Sequence, residues 1–446
     1  MKIDLARITE NSEERSSKIV LTVMGDRKIP ESGIVCVQAP EYAVPFCCTE
    51  VKVDRIAENE VQKVELTYHF SCGGRFVFYA WEKGSQRNTL CHVIVLAEGA
   101  GWYSGNTHSH STYSDGKSTL EENRKAMMDC GHSFIYSTDH NTTNHFEELL
   151  AYAKAGEQEN FLHLPGWEFT TKFGHAIAYR SGQTMSTDRI TERNNLSMWQ
   201  SFVDDENAAG AFVYLAHPYE APRYEFGDDV LCGIKGMVGV EAWNGYNYHA
   251  LAYQNRKNFE IWDALNRRGD RHYYGNSVSD AHTMKGQGSP YIKGYLEKLD
   301  RSAVEELLMS GKYFGSNGPE IRLSIGEAGM GETCRVETDD KNRKTKKRMV
   351  LDVFDPLGDI QEIRVYRGHI DGEYTVKPNT KAVLEFYPIG EDEKRNFVKQ
   401  IYLDVAAGEF YRAEVITGLG VTAYLADPEK IEKGFAFTNP VWIESR

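Results

Sequence analysis

The sequence predicts an α/β protein in which a central barrel-like segment, residues 101–318, lies between an N-terminal β-sandwich-like segment, 1–100, and a C-terminal β-rich segment, 319–446. Three observations predict it. Up to about residue 100 the chain is a series of alternating apolar runs broken by Gly, Pro, Asn and charged turns. From Trp102 short strand-like runs alternate with helical stretches, and several of the runs end in His, Asp or Glu. After Gly315-Ser316-Asn317-Gly318-Pro319 the alternating strands return.

In the first segment the clearest strands are Ile19-Val20-Leu21-Thr22-Val23, Gly33-Ile34-Val35-Cys36-Val37 and Gly74-Arg75-Phe76-Val77-Phe78-Tyr79-Ala80. The start, Met1-Lys2-Ile3-Asp4-Leu5-Ala6-Arg7, lacks the apolar core of a secretory signal, so a cytoplasmic location is expected. With 446 residues the chain can bury a sizeable core and should hold two or three domains. It has no apolar run near the ~18 residues a membrane span needs. The formal net charge of −14, from 51 basic and 65 acidic residues, argues against long nucleic acid as the main partner. Eight cysteines contain no C-x-x-C pair and include the neighbours Cys47-Cys48, which points to reduced thiols rather than a zinc ribbon or disulfide framework.

In the central segment, Thr119 to Cys130 reads as a helix with Ser118 as N-cap, Glu121 and Glu122 in its first turn and Gly131 at its stop. Phe134-Ile135-Tyr136-Ser137 is then a strand delivering Asp139 and His140, and Phe146 to Ala155 is the next helix. Ala211-Phe212-Val213-Tyr214-Leu215 delivers His217 in the same way. Strand, ligand, helix is the order expected of a parallel barrel with its site at the C-terminal rim. In the last segment, Ile321-Arg322-Leu323-Ser324-Ile325, Met349-Val350-Leu351-Asp352-Val353 and Ile363-Arg364-Val365-Tyr366 read as strands. The charged run from Asp339 to Arg348 reads as a solvated hairpin loop.

The chemistry sits at those strand ends. His108-Ser109-His110 with Asp115, Ser137-Thr138-Asp139-His140, Gly166-Trp167-Glu168 with Gly174-His175, Ala216-His217-Pro218 and Ser279-Asp280-Ala281-His282 supply nine candidate metal ligands. Drawn together without a cation, such imidazoles and carboxylates would leave buried charge uncompensated. The period-2 geometry of an extended His108-x-His110 puts both rings on one face, and Asp280-x-His282 repeats it. Nitrogen and oxygen donors without thiolate suit Mn, Fe or Zn, two to three ions per chain. Asp139 is expected to orient the site by hydrogen bonds rather than bind metal. Glu241 and Asn244, at the end of Gly239-Val240-Glu241-Ala242-Trp243-Asn244, are read either as pocket lining or as plain structure.

At these residues the chain resembles the polymerase and histidinol phosphatase (PHP) superfamily, whose H-x-H and S-D-G motif is matched by His108-Ser109-His110-Ser111-Thr112-Tyr113-Ser114-Asp115-Gly116. The T-D-H-N at 138–141, the G-x-E-x-T around Glu168, the G-H at 174–175 and the closing S-D-x-H are similar to the branch named for the carbaryl hydrolase CehA and McbA. The resemblance covers about residues 101 to 318. It implies a distorted (β/α)7 barrel. It also implies that His108, His110, Glu168 and Asp280 hold one ion, that Glu168, His175 and His217 hold a second with Glu168 bridging, and that Asp115, His140 and His282 hold a third.

Clustered divalent ions acidify a bridging water and polarise an electrophile, so the expected reaction is hydrolysis through a metal-bridging hydroxide, with Glu168 and Asp280 central to it. The leading substrate is a small phosphate ester, recognised by a further cation, first Arg223 and then Lys172. A carboxylic or carbamic ester is the alternative, and a basic or an apolar pocket would distinguish them. Trp167, Phe169, Tyr219, Tyr224, Trp243, Tyr246 and Tyr248 leave room for the apolar one, although most read as core. A second alternative is a binding protein with a residual metal site. Its fold would carry its role, so His108→Ala and Asp280→Asn would leave that role intact.

Overall fold

The computed structural model describes residues 2–11, 15–25, 31–151, 161–182, 184–186, 190–220, 226–246, 249–337 and 343–446. They form two compact units, Met1–Tyr103 with Tyr295–Leu299, and Ser104–Gly294 with Asp300–Arg446. The β-rich segment after residue 318 therefore clusters with the central segment in one unit. Among the described residues no helix is long and apolar enough to cross a membrane.

In the first unit Lys2–Asn11, Ser16–Met24, Val61–Phe70 and Ala43–Val44 make one antiparallel sheet. Glu31–Gln38, Cys48–Ile56, Gly73–Glu82 and Cys91–Ala97 pair antiparallel in a second set. Alternate residues of the first, Ile19, Leu21 and Val23, share one core with Val35, Val37, Phe78 and Val95 of the second. Period-2 burial on facing strands is what the alternating runs encode.

In the second unit, the end of Gly101–Asn106, then Phe134–Ser137, Leu162–Thr171, Gly174–Tyr179, Phe212–Ala216, Gly239–Asn244 and Tyr274–Val278 pair each with the next in that order. An isolated parallel bridge between Ser109 and Ala281 joins last to first. The expected all-parallel arrangement breaks at Gly174–Tyr179, which runs antiparallel to both neighbours. Only Lys172 and Phe173 separate it from the preceding strand. A parallel crossover needs roughly a dozen residues, so the chain can only turn back as a hairpin.

The first helix of the second unit is Leu120–Asp129, and its N-cap is Thr119 rather than the expected Ser118. Thr119 Oγ1 accepts from Glu122 N at 3.2 Å and Glu122 Oε2 accepts from Thr119 N at 2.8 Å. That reciprocal pair satisfies two helix-start donors, which Ser118, one residue earlier, is out of register to do. Gly131 does stop the helix, with φ 86°. The helix expected from Phe146 is described over residues 146–151, and residues 152–160 lie outside the described residues. Leu196–Ala208 and Tyr253–Arg267 place Trp199, Phe202, Phe259 and Trp262 in an apolar cluster with Trp167, Phe169 and Trp243 from the strands.

Beyond residue 318, Glu320–Ile325, Thr345–Phe354 and Asn396–Val405 form a three-stranded antiparallel sheet. Ile360–His369, Lys381–Phe386, Glu409–Thr417, Gly434–Thr438 and Val441–Ser445 pair in another group, whose Gly434–Thr438 also pairs with Tyr313–Ser316. Phe435 and Phe437 extend the apolar cluster around Trp243 and Phe259. The charged run expected as a loop is already strand from Thr345, because charged side chains are tolerated on the solvent face of an antiparallel strand. Its residues 339–342 lie outside the described residues.

Candidate metal centre

Strand alternation explains how a carboxylate comes to be buried here. Trp167 and Phe169 face the outer apolar cluster, and Glu168 between them is turned the other way, fully buried. Gly239–Asn244 repeats the pattern, with Val240 and Ala242 in the cluster and Glu241 turned inward. His217 and Asp280 have positive φ, 27° and 49°, in a region that costs non-glycine residues energy. Backbone donors hold them there, His217 N to Glu241 Oε2 and Asp280 N to His108 O, each at 3.0 Å.

The nine side chains singled out as ligands come together around Glu168. His108 Nε2 and His110 Nε2 are 3.0 Å apart. Asp280 Oδ1 lies 3.2 and 2.9 Å from them, and Glu168 Oε2 lies 3.5 Å from both. The other Glu168 oxygen, Oε1, is 2.8 Å from His175 Nδ1 and 3.4 Å from His217 Nε2. Asp115 Oδ1 is 3.5 Å from His140 Nε2 and 3.2 Å from His282 Nε2. His110 also falls within the span of this last group. The first two groups are buried, whereas the Asp115 side chain is 61% exposed, so the third group forms the mouth.

These residues fit divalent ions. Metal–ligand bonds of roughly 2.0–2.2 Å put neighbouring ligand atoms about 2.8–3.6 Å apart around one ion, for octahedral or tetrahedral angles. His108 Nε2, His110 Nε2 and Asp280 Oδ1 are spaced in that range from one another, and Glu168 Oε2 lies within it of both imidazoles. Two buried ring nitrogens converging with two carboxylate oxygens form a nitrogen and oxygen donor set whose buried negative charge a divalent cation would neutralise. His108, His110, Asp280 and Glu168 would hold one ion, Glu168, His175 and His217 a second, and Asp115, His140 and His282 a third.

A layer of hydrogen bonds orients these groups. Glu241 Oε1 is 2.6 Å from His108 Nδ1, which turns Nε2 toward the cluster. Asn244 Nδ2 bridges Glu241 Oε2 at 3.1 Å and Asp280 Oδ2 at 3.0 Å. Both residues are thus part of the site's support. Asp139 accepts from Ser111 N at 2.8 Å and from Ser114 Oγ at 2.7 Å, which fixes the loop between His110 and Asp115. Three supporting residues escaped the sequence reading. Asn106 accepts from Ser279 N (3.0 Å) and donates to His108 O (2.9 Å), Asn123 donates to His110 O (2.9 Å), and Thr170 Oγ1 is 2.5 Å from His140 Nδ1. Thr170 had a signal, since it lies two residues after Glu168 on the same strand face. The asparagines carry no motif, and Asn106 reaches Ser279 across a long sequence separation that no local pattern shows. Replacing Glu241 with Gln is expected to lower metal affinity and turnover about 10–100-fold while the fold is kept, as judged by metal titration beside circular dichroism.

The electrostatics follow from burial and mutual charge. Burial opposes charge on His108, yet the Asp280, Glu241 and Glu168 carboxylates outweigh it and hold this imidazole well above its usual range. His217 is likewise pushed up to about 9, against burial, by Glu168 and then Glu220 and Glu241. For His110 burial dominates and lowers it to about 4. Glu168 and Asp280 sit well below the usual carboxylate range because the surrounding imidazoles overcome their burial.

The chain resembles a PHP-like protein of known structure. That protein, a two-domain protein from Bacteroides vulgatus containing a predicted PHP-like metal-dependent phosphoesterase, aligns with 75% of this chain and 94% of its own at 14% identity and a TM-score of 0.39. An amidohydrolase from Chromobacterium violaceum, solved with sulfate and no metal, aligns with 40% of this chain and 87% of its own at 17% identity and a TM-score of 0.27. No family model and no curated protein matches the chain. These likenesses are distant, and the chemistry is read from the site's own geometry.

A cavity of about 820 Å³ opens at Asp115 and His282 and is lined also by Lys117, Tyr246, Lys285 and Lys430. Of the two cations expected from the sequence, Arg223 lies outside the described residues, and Lys172 is exposed and is not among the cavity's lining. Of the aromatics, Trp167, Phe169 and Trp243 are core, Tyr219 packs against that core, Tyr246 lines the cavity, and Tyr224 and Tyr248 lie outside the described residues.

Proposed function

We propose that this protein is a metal-dependent hydrolase of the PHP type that cleaves a small phosphate ester. The observation that carries the reading is Glu168, whose two oxygens face two different groups of imidazoles from one buried position. When bound, divalent ions supply an acidified water and neutralise charge on the phosphoryl oxygens. The chain's own residues do the rest. Glu168 and Asp280 set the spacing of the ligand groups, Glu241 and Asn244 hold His108 and Asp280 in register, and the buried walls exclude bulk water from all but the Asp115 side. In the net reaction water adds to phosphorus, the ester P–O bond breaks, and the alcohol leaves with one of the water's protons.

The lining of the cavity favours phosphate over the carboxylic or carbamic ester. It is polar, with Lys117, Lys285 and Lys430 beside Asp115, Asp427, Glu429 and Glu432, and among the described residues its only large apolar side chains are Tyr246 and Ile431. Lys117 stands beside the mouth, its backbone N donating to His282 O at 2.7 Å. We assign it as a phosphate-binding cation, with Arg223 as a further candidate.

The test is metal content together with hydrolysis of a panel of phosphate and carboxyl esters by Mn-loaded protein. Two to three ions per chain and phosphate release that falls at least about 10³-fold in a folded His108→Ala variant are expected. Turnover of carboxyl esters alone would overturn the substrate class. Less than one ion per chain without activity would overturn the hydrolase.

A further inference from the structure

The cavity is far larger than a phosphate group requires, and its volume of about 820 Å³ is that of a site for a whole small molecule. Asp115 and His282 line it. One further wall comes from a part of the chain remote in sequence, residues 427–432, through Asp427, Glu429, Lys430, Ile431 and Glu432. We propose that this wall is the subsite for the leaving group and that it selects an alcohol bearing further hydroxyls, such as a polyol or sugar, over an apolar or aromatic one. The proposal rests on the phosphate-ester reading above and says what the ester carries.

Two features support it. The wall is fastened to the loops that follow the site's own strands. Lys430 Nζ donates to Gly245 O at 3.2 Å, just beyond Asn244, and Lys285, just beyond His282, pairs with Glu429 Oε2 at 3.0 Å and Asp427 Oδ1 at 3.5 Å. Glu432 Oε1 accepts from Asn317 Nδ2 at 3.0 Å. The wall therefore has a set place relative to Asp115 and His282.

Its chemistry is the second feature. Carboxylates accept hydrogen bonds from hydroxyls and ammonium groups donate to them, so a hydroxylated alcohol can replace the water these groups would lose. A phenyl ring would cover the same charges and return nothing, and a site built on polar partners discriminates strongly against ligands lacking them.

The experiment is calorimetric titration of the metal-loaded protein with two phosphonates that cannot be hydrolysed, 3,4-dihydroxybutylphosphonate and phenylphosphonate, and with inorganic phosphate. The wild type should bind the dihydroxy compound at least about tenfold more tightly than the phenyl compound. Lys430→Met and, separately, the double variant Asp427→Asn/Glu429→Gln should bring the two affinities to within about threefold of each other. Glu391→Gln, on an exposed helix that does not line the cavity, should leave the ratio as it was. Equal affinities in the wild type, or a preference that survives in both wall variants, would overturn the subsite. Metal-loaded protein that binds neither phosphonate nor phosphate would overturn the phosphate-ester reading, and the subsite with it.

Discussion

Glu168→Gln is expected to be the most damaging single substitution in the protein, with kcat/KM reduced at least about 10³-fold and the bound metal falling to one ion per chain or fewer. The two oxygens of this side chain lie within 3.5 Å of five candidate-ligand imidazoles, those of His108, His110, His140, His175 and His217. Gln keeps the volume but replaces one oxygen by an amide NH₂, a donor where a cation is expected, so one of the two ligand groups meets the wrong polarity. The flanking Trp167 and Phe169 remain in the core, and the fold should therefore survive. Metal analysis with near-ultraviolet circular dichroism separates the outcomes. Full metal content with unchanged turnover would remove Glu168 from the centre.

Removing metal with a chelator should lower the melting temperature by on the order of 10 °C, and the gap should widen as pH rises from 6 to 9. An ion present at about 1,000 times its Kd stabilises the native state by about 4 kcal/mol, and more than one ion is expected here. The pH dependence comes from competition with protons. In the metal-free protein His108 and His217 are held above their ordinary values by neighbouring carboxylates. Stability from their charged forms is fully present below the ordinary histidine range and is lost as pH passes through about 9, the value for His217. Metal needs the same nitrogens unprotonated, so its affinity rises over that window. Below about pH 6 His110, lowered to about 4, adds the opposite slope, because burial favours its neutral form, and the comparison belongs above that pH. Scanning calorimetry with and without chelator at pH 6, 7.5 and 9 measures the gap. A constant gap would mean that the buried imidazoles do not exchange protons for metal.

Several candidate ligands were legible in the sequence because they close a short apolar run, as His140 follows Phe134–Ser137 and Asp280 follows Tyr274–Val278. The strand runs of both flanks were legible for a similar reason, since alternation is written locally. Less legible were features that depend on length or register. The hairpin at Lys172 and Phe173 is set by the length of a connection, and the shift of the helix cap to Thr119 by a single hydrogen-bond register.

What the sequence by itself determined is which side chains can do chemistry and which strand faces they share, because a residue's identity and a period of two are properties of neighbours along the chain. Only the tertiary structure decided that Asn106 reaches Ser279, that Glu241 braces His108 and His217 and Asn244 braces Asp280 from another strand, and that residues 427–432 line a cavity with Asp115 and His282. Those relations join residues separated by up to more than three hundred positions. They arise from strand register and from the bridge that joins the last strand end to the first, which depend on the packing of the whole unit and leave no periodic trace in the chain.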